Sequence, residues 1–165
     1  MCLQIMYMHG IMSTAPRRPK PSLRTDAATL IDTCVGLNLR LAARRVSLFL
    51  DRELSDQGLT VAQLGLMAHI AVTSDDTLGA LAVRSGLEQS SLSRALRTLE
   101  ADGLIEIATV ETDLRRRAVW LTERGARRLQ AAIPVWRKAQ AKLAACLSPA
   151  GAKQLAQATE TIAPL

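Results

Sequence analysis

The chain has 165 residues, enough for one well-packed domain or for one module with a dimerisation element. Its net charge of +6 at pH 7 permits binding to a polyanion, but its aromatic residues are only two Trp, one Tyr and one Phe. These are too few for the stacking platforms that bind RNA or single strands. Three widely spaced cysteines fit neither a disulfide framework nor a zinc site, and no apolar run reaches transmembrane length. We therefore expect a cytoplasmic protein with reduced thiols.

Residues 1–24 are predicted to form a disordered arm. They open on an apolar, Met-rich stretch, and a polar segment with prolines at Pro16, Pro19 and Pro21 follows. In a secretory signal basic residues precede the apolar stretch, whereas here they follow it. We therefore expect translation to begin at Met12, which would make residues 1–11 an artefact of the assigned start.

A long helix is predicted from Asp26 to about Ser55. Its apolar residues recur at spacings of three, four and seven and so fall near one face. A helix of this length exceeds what one small domain can cover, so its apolar stripe is expected to pack against a second subunit. Residues 25–56 are therefore assigned to a dimerisation region. The stripe consists of Leu30, Cys34, Leu37, Leu41 and Leu48.

Thr60 and Gln63 have the spacing of a capping box and predict the start of a second, almost wholly apolar helix that ends near Val72. His69 lies on this helix, and the only other histidine is His9. Two histidines so far apart in the chain cannot form a multi-His metal site, and we predict no metal. We also predict no cofactor.

A helix-turn-helix is predicted next, with a first helix over Leu78–Ser85, a turn at Gly86 and a second helix over about Glu88–Asp102. Gly103 is the residue type that commonly follows the end of a helix. The second helix directs three leucines toward the core and places Ser and Arg on its other faces. The core residues are Leu92, Leu96 and Leu99.

Two short strands, Leu104–Thr109 and Arg117–Leu121, are predicted after the helix pair, with Val110–Arg116 as the turn between them. This layout is mainly α with a small β wing. It places one helix in the major groove of DNA and the hairpin beside the minor groove. Residues 57–121 are therefore predicted to form a winged helix-turn-helix DNA-binding domain.

Small hydroxyls and arginines are the predicted DNA-contacting side chains. Serine lets a helix backbone approach the groove, arginine reaches guanine or phosphate, and arginines on a hairpin tip suit the negative minor groove. An ordinary polar helix face and a solvated charge cluster are the alternatives. The candidates are Ser90, Ser91, Ser93, Arg94 and Arg97 on the helix, and Arg115, Arg116 and Arg117 in the wing.

Two further helices are predicted at the C-terminal end, so residues 122–165 are assigned to the dimerisation region together with residues 25–56. The first starts at Thr122 and runs to about Cys146, with a kink or break before Pro134. The second begins at Ser148 and Pro149, a capping residue followed by proline at the first helical position. The chain carries no phosphate-binding loop, zinc-protease motif or catalytic triad, so we predict that it is not an enzyme.

The sequence resembles the MarR-type winged helix-turn-helix transcriptional regulators. The resemblance rests on LTVAQLGLMAHIAV, on LAVRSGLEQSSLSRALRTLEADGLI, on the D-x-R pattern of Asp113 to Arg115, and on WLTERG, and it covers about Asp26 to Ile162. It implies a homodimer with interlocked N- and C-terminal helices that represses transcription at a pseudo-palindromic operator. It also implies release of the operator when a small phenolic ligand binds or when the protein is oxidised.

The resemblance assigns recognition-helix contacts to the positions of Ser90, Ser91, Ser93 and Arg94, and the wing contact to Arg115. Thr112 stands where many family members have a first wing arginine. Which of Arg115, Arg116 and Arg117 enters the minor groove therefore stays open.

Two alternatives remain at this stage. Cys34 lies where some redox-sensing members place a reactive cysteine, although supporting tyrosines are missing and the residue also fits the apolar stripe. The winged domain could instead bind an acidic protein.

A ligand pocket is expected between the first helix, the Thr60 helix and the wing domain, with no charged or aromatic signature.

Overall fold

The computed structural model describes residues 20–72, 78–110 and 113–162, with backbone only for 109–110 and 113–117. Residues 1–19 of the predicted arm, including the predicted start at Met12, lie outside the described residues. The chain divides into two compact units, 1–42 and 43–165, and the boundary falls within the second helix. The elements are α1 (Pro21–Thr33), α2 (Val35–Glu53), a 3₁₀ turn (Ser55–Gln57), α3 (Val61–Val72), α4 (Leu78–Ser85), α5 (Gln89–Ala101), β1 (Ile105–Val110), β2 (Asp113–Leu121), α6 (Glu123–Leu143) and α7 (Pro149–Thr159).

The first unit corrects two predictions. Its first helix begins at Pro21, inside the predicted arm, because proline is suited to the first helical position and the preceding Lys20 is extended. The single long helix predicted from Asp26 is broken at Cys34, whose backbone is extended. The break falls in the sequence Thr33-Cys34-Val35-Gly36, where every residue has low helix propensity.

The apolar stripe predicted for the N-terminal helices is largely exposed in the single chain. None of the residues of α1 is buried, and Leu30, Leu37, Leu41 and Leu48 are all exposed. Only Cys34 of the predicted stripe is half-buried.

The hydrophobic core of the second unit is formed by α3, α4, α5, α6 and the two strands. At the ends of α4 and α5, Gly86 and Gly103 take the left-handed conformation, with φ of 65° and 66°. After α5, the N–H of Gly103 donates to the Glu100 carbonyl at 2.8 Å and that of Leu104 to the Leu99 carbonyl at 2.9 Å. This paired arrangement ends a helix and turns the chain at once. The predicted helix-turn-helix is therefore confirmed.

The start of α3 is capped from two directions. As predicted, Thr60 and Gln63 form a capping box: the Gln63 N–H donates to Thr60 Oγ1 at 3.2 Å and the Thr60 N–H donates to Gln63 Oε1 at 2.9 Å. The Val61 N–H donates to Oδ1 of Asp51, on α2, at 2.7 Å. This second cap joins residues from different helices, so no local sequence signal predicts it.

The two strands pair antiparallel, from Ile105 opposite Leu121 to Thr109 opposite Arg117. The second strand begins at Asp113 rather than at the predicted Arg117, so part of the predicted turn belongs to the strand. The register changes between Thr109 and Val110, and Val110 pairs with Asp113. The longer pairing extends the hairpin that forms the wing.

A single helix, α6, runs through Pro134, so of the kink or break predicted near Ala131 to Ile133 the break is wrong, and the kink stays a prediction. Packing accounts for this, since Leu129 and Ala132 before the proline and Ala139 after it are all buried. The predicted Ser148 cap of α7 is confirmed by its hydroxyl, which accepts from the Gly151 N–H at 3.2 Å. None of the described helices is long and apolar enough to cross a membrane.

Thr122 connects the end of α5 to the start of α6, and we expect Thr122→Val to destabilise the fold. Its Oγ1 donates to the Gly103 carbonyl at 2.8 Å and accepts from the Gly125 N–H at 2.9 Å. Valine removes both bonds, and the expected loss is about 1–2 kcal/mol in the free energy of unfolding. Urea unfolding measures it. Thr122→Ser keeps the hydroxyl and should retain most of the stability; an equal loss in both variants would contradict the assigned role.

Candidate nucleic-acid interface

The two faces of α5 differ sharply in burial. Leu92, Leu96 and Leu99 are at most 1% exposed and hold the helix against the core. On the opposite face Ser90, Arg94 and Arg97 are exposed, at positions four and three residues apart. The buried leucines therefore hold the helix in place, and its exposed face presents hydroxyl and guanidinium groups to solvent.

Ser91 and Ser93 lie on the flanks of α5 and are half-buried. The Ser93 hydroxyl donates to the Gln89 carbonyl at 2.8 Å, so its proton is already used within the helix. Nε of Arg94 donates to the Ser90 carbonyl at 3.4 Å, a long bond that leaves the other guanidinium donors available. The five residues predicted as a set thus divide into an outward group of three and a flanking pair.

The N-terminus of α5 has no side-chain cap, because the extended residue before it, Glu88, makes no capping hydrogen bond. The first amides of a helix lack partners within the helix and carry its positive dipole end. They can therefore donate to a phosphate oxygen next to Ser90.

The structure describes the backbone of both strands of the wing and the side chains at its base. Arg115, Arg116 and Arg117 lie on β2, but their side chains and Thr112 are outside the described part of the chain. At the base, Nε1 of Trp120 donates to Oε2 of its cross-strand partner Glu106 at 3.0 Å. Sequence reasoning missed this pair, which only the strand register identifies.

Cys34 lies at the junction of α1 and α2, is half-buried and is not in a disulfide. Its backbone N–H donates to the Leu30 carbonyl at 2.9 Å. This bond does not involve the thiol, and redox sensing by Cys34 stays a prediction. In the described ranges no group of three or more His, Cys, Asp or Glu could hold a metal ion.

A cavity of about 470 Å³ opens between α3 and α6. The Thr60 helix of the predicted pocket, α3, forms one wall of this cavity, and α6, which the prediction did not include, forms the other. The cavity contains an aromatic and a charged residue, Trp136 and Arg137. A pocket against the first helix stays a prediction. Small side chains on α3 leave the space, and larger ones on α6 form the opposite wall. Its lining is Val61, Leu64, Gly65, Ala68, Ala71 and Val72 on α3, and Leu129, Ile133, Trp136 and Arg137 on α6.

Comparisons with known proteins match this arrangement. A model of the MarR family matches residues 57–116. The transcriptional regulator MosR of M. tuberculosis, solved in complex with DNA, is 32% identical over 78% of this chain and 96% of its own, with a TM-score of 0.72. The chain belongs to the MarR family. A second crystal structure of MosR is 31% identical over 80% of this chain and 97% of its own, with a TM-score of 0.70.

Membership of the MarR family confirms the predicted fold class and function class. MarR-family proteins are transcription regulators and not enzymes. S. aureus MepR in its DNA complex has the same fold, at 21% identity over 79% of this chain and 98% of its own, with a TM-score of 0.66. A sequence search of curated proteins found no match. This MarR-family chain is therefore a DNA-binding transcription regulator with a winged-helix fold.

Proposed function

We propose that the protein is a dimeric, sequence-specific repressor that releases its operator when a small ligand binds. The observation that carries the proposal is the outward face of α5, where Ser90, Arg94 and Arg97 are exposed on a helix whose opposite face is buried. MosR, which is 32% identical to this chain over the aligned residues, has been solved in complex with DNA.

Each group of candidate residues is given one part of the DNA contact. Arg94 and Arg97 reach guanine edges or phosphates in the major groove, and Ser90 sits close to the backbone. Ser91 and Ser93, on the flanks, contact the phosphates on either side, and for this contact the Ser93 hydroxyl turns its proton from the Gln89 carbonyl to a phosphate oxygen. The wing arginines Arg115, Arg116 and Arg117 enter the minor groove.

The N- and C-terminal helices are assigned to dimerisation through residues 25–56 and 122–165, and residues 57–121 to the winged domain. Ile31 and Val35 are 64% and 71% exposed in the single chain, and neither α1 nor α7 contains a buried residue. Exposed apolar residues in such number mark a contact surface, because their burial is favourable by about 25 cal/mol per Å². A second copy is the partner that two-fold operators require.

The cavity between α3 and α6 is the proposed ligand site. Its volume of about 470 Å³ lies within the usual size of small-molecule pockets, and its lining is mostly apolar. Trp136 offers a ring face and Arg137 a positive charge. A ligand favouring one separation of the two recognition helices would shift the dimer away from the operator-binding form.

Selection of duplexes from a random-sequence library tests the proposal. The protein should enrich an inverted repeat whose half-sites lie about one helical turn, roughly 10 bp, apart. Enrichment of no motif would contradict sequence-specific binding, and enrichment of a single half-site would contradict the dimer.

Arg115→Ala should weaken binding to the selected duplex and make it less sensitive to salt. The loss of one phosphate-neutralising charge per protomer lowers the slope of log K against log salt by about 1 for each wing that binds. A series of binding titrations from low to high salt measures the slope. An unchanged slope would exclude Arg115 from the interface and leave Arg116 and Arg117 as the wing candidates.

A further inference from the structure

The last turn of α2 is joined directly to α3. Oδ1 of Asp51 accepts from the Val61 N–H at 2.7 Å in a partly buried hydrogen bond. Val61 is the first residue of α3 and also lines the cavity. Because a partly buried hydrogen bond to a carboxylate is strong and directional, it couples the position of α2 to this wall of the cavity.

The same region of the chain is joined to α6 at two points. Both carboxylate oxygens of Glu53 accept from Nζ of Lys142, at 2.8 and 2.6 Å. Nη1 of Arg128 donates to the carbonyl of Gln57, in the 3₁₀ turn after α2. Together with the Asp51–Val61 bond, these two contacts form the α2 anchor.

The α2 anchor therefore holds both walls of the cavity. On α6, its two residues Arg128 and Lys142 lie before and after the cavity-lining residues Leu129, Ile133 and Trp136. On α3, the anchor holds the N-terminal end of the helix, where Val61 lines the cavity. A change in the separation of α3 and α6 consequently strains at least one contact with α2.

We infer that the α2 anchor transmits the state of the cavity to α2, and that Glu53 and Lys142 are positioning residues in this coupling. The inference rests on the proposed function, in which α2 contributes to the dimer contact and a cavity ligand releases DNA. The Glu53–Lys142 pair is partly solvated, so it contributes little to stability, and its main effect is on the relative placement of the helices.

A side chain built into the cavity can replace the unknown ligand in a test. Ala68 lies on α3, lines the cavity and is exposed, so Ala68→Phe fills the space without displacing the core. In the otherwise wild-type protein we expect Ala68→Phe to lower affinity for the selected duplex at least tenfold. In a Lys142→Glu background the same change should lower affinity less than threefold, because the contact of the anchor that joins α6 to α2 is already broken.

Charge reversal provides the rescue that separates coupling from structure. Glu53→Lys with Lys142→Glu restores the pair and the net charge, and should restore the tenfold effect of Ala68→Phe. Lys138→Glu is the matched control: it makes the same charge change on α6 outside the anchor and should leave the tenfold effect intact. Urea unfolding checks that every variant is folded, and Ala68→Leu replaces Ala68→Phe if the latter is not.

An equal effect of Ala68→Phe with and without the intact pair would overturn the inference. So would unchanged DNA affinity for both Ala68→Phe and Ala68→Leu in the wild-type background, since the cavity would then be uncoupled from DNA binding. Failure of the wild-type protein to select any duplex is a different result: it contradicts the proposed function itself, and the inference falls with it.

Discussion

Gly125→Ala should strongly destabilise the protein. Gly125 is buried in the first turn of α6, and a Cβ placed there would lie 1.9 Å from the carbonyl oxygen of Leu104 and 2.9 Å from its carbonyl carbon. That oxygen also accepts the Thr122 N–H at 3.1 Å, so the backbone cannot withdraw without losing a hydrogen bond. We expect a loss of about 3 kcal/mol or more in the free energy of unfolding.

Gly65→Ala is the matched control. Gly65 lies in the interior of α3, and a Cβ there meets no atom within 4 Å. Alanine should therefore raise the free energy of unfolding by about 0.5–1 kcal/mol, the usual advantage of alanine over glycine in a helix. Urea unfolding of the two variants measures both effects. If Gly125→Ala lowered the free energy of unfolding by no more than Gly65→Ala changes it, α6 and the α5–β1 turn would not approach so closely.

Arg94→Ala should remove most of the preference for the selected duplex over unrelated DNA. Arg94 is exposed on the outward face of α5, and its long bond to Ser90 leaves most of its donors free for a base edge. A bidentate contact to guanine discriminates by about 1–3 kcal/mol, and a dimer loses two of them. Competition titrations with selected and scrambled duplexes should show a specificity ratio that falls at least roughly tenfold.

Arg127→Ala is the control for the lost charge. Arg127 is an exposed arginine on α6, paired with Glu123 and outside the proposed DNA-binding residues. It changes the net charge by the same amount and should leave the specificity ratio unchanged. If Arg94→Ala weakened binding to both duplexes equally, Arg94 would be a phosphate contact and not a base contact.

The helix-turn-helix was predictable from sequence because its signals are local. The leucine spacing of α5, the glycines after α4 and α5, and the Thr60–Gln63 box each act within a few residues and each matches the structure. The outward position of Arg94 follows from the same spacing, whereas the partial burial of Ser91 and Ser93 depends on neighbouring elements.

The features that could not be predicted depend on residues distant in the chain. The Asp51 cap on α3 joins two helices across a turn, and the cavity exists only because small residues of α3 face α6. The continuity of α6 through Pro134 likewise comes from burial on both sides of the proline. The break at Cys34 is the exception, because the low helix propensity of the residues around it is a local signal. The apolar periodicity that continues through this segment nevertheless predicts one unbroken helix.

Binding of the purified protein to the DNA upstream of its own gene, compared with scrambled DNA of the same composition at two salt concentrations, tests the central claim most directly. Regulators of this kind often act on genes close to their own. We predict a preference for the upstream DNA that persists at the higher salt, because base contacts survive when phosphate contacts are screened. Equal binding to both duplexes, lost at the higher salt, would contradict sequence-specific recognition by the outward face of α5.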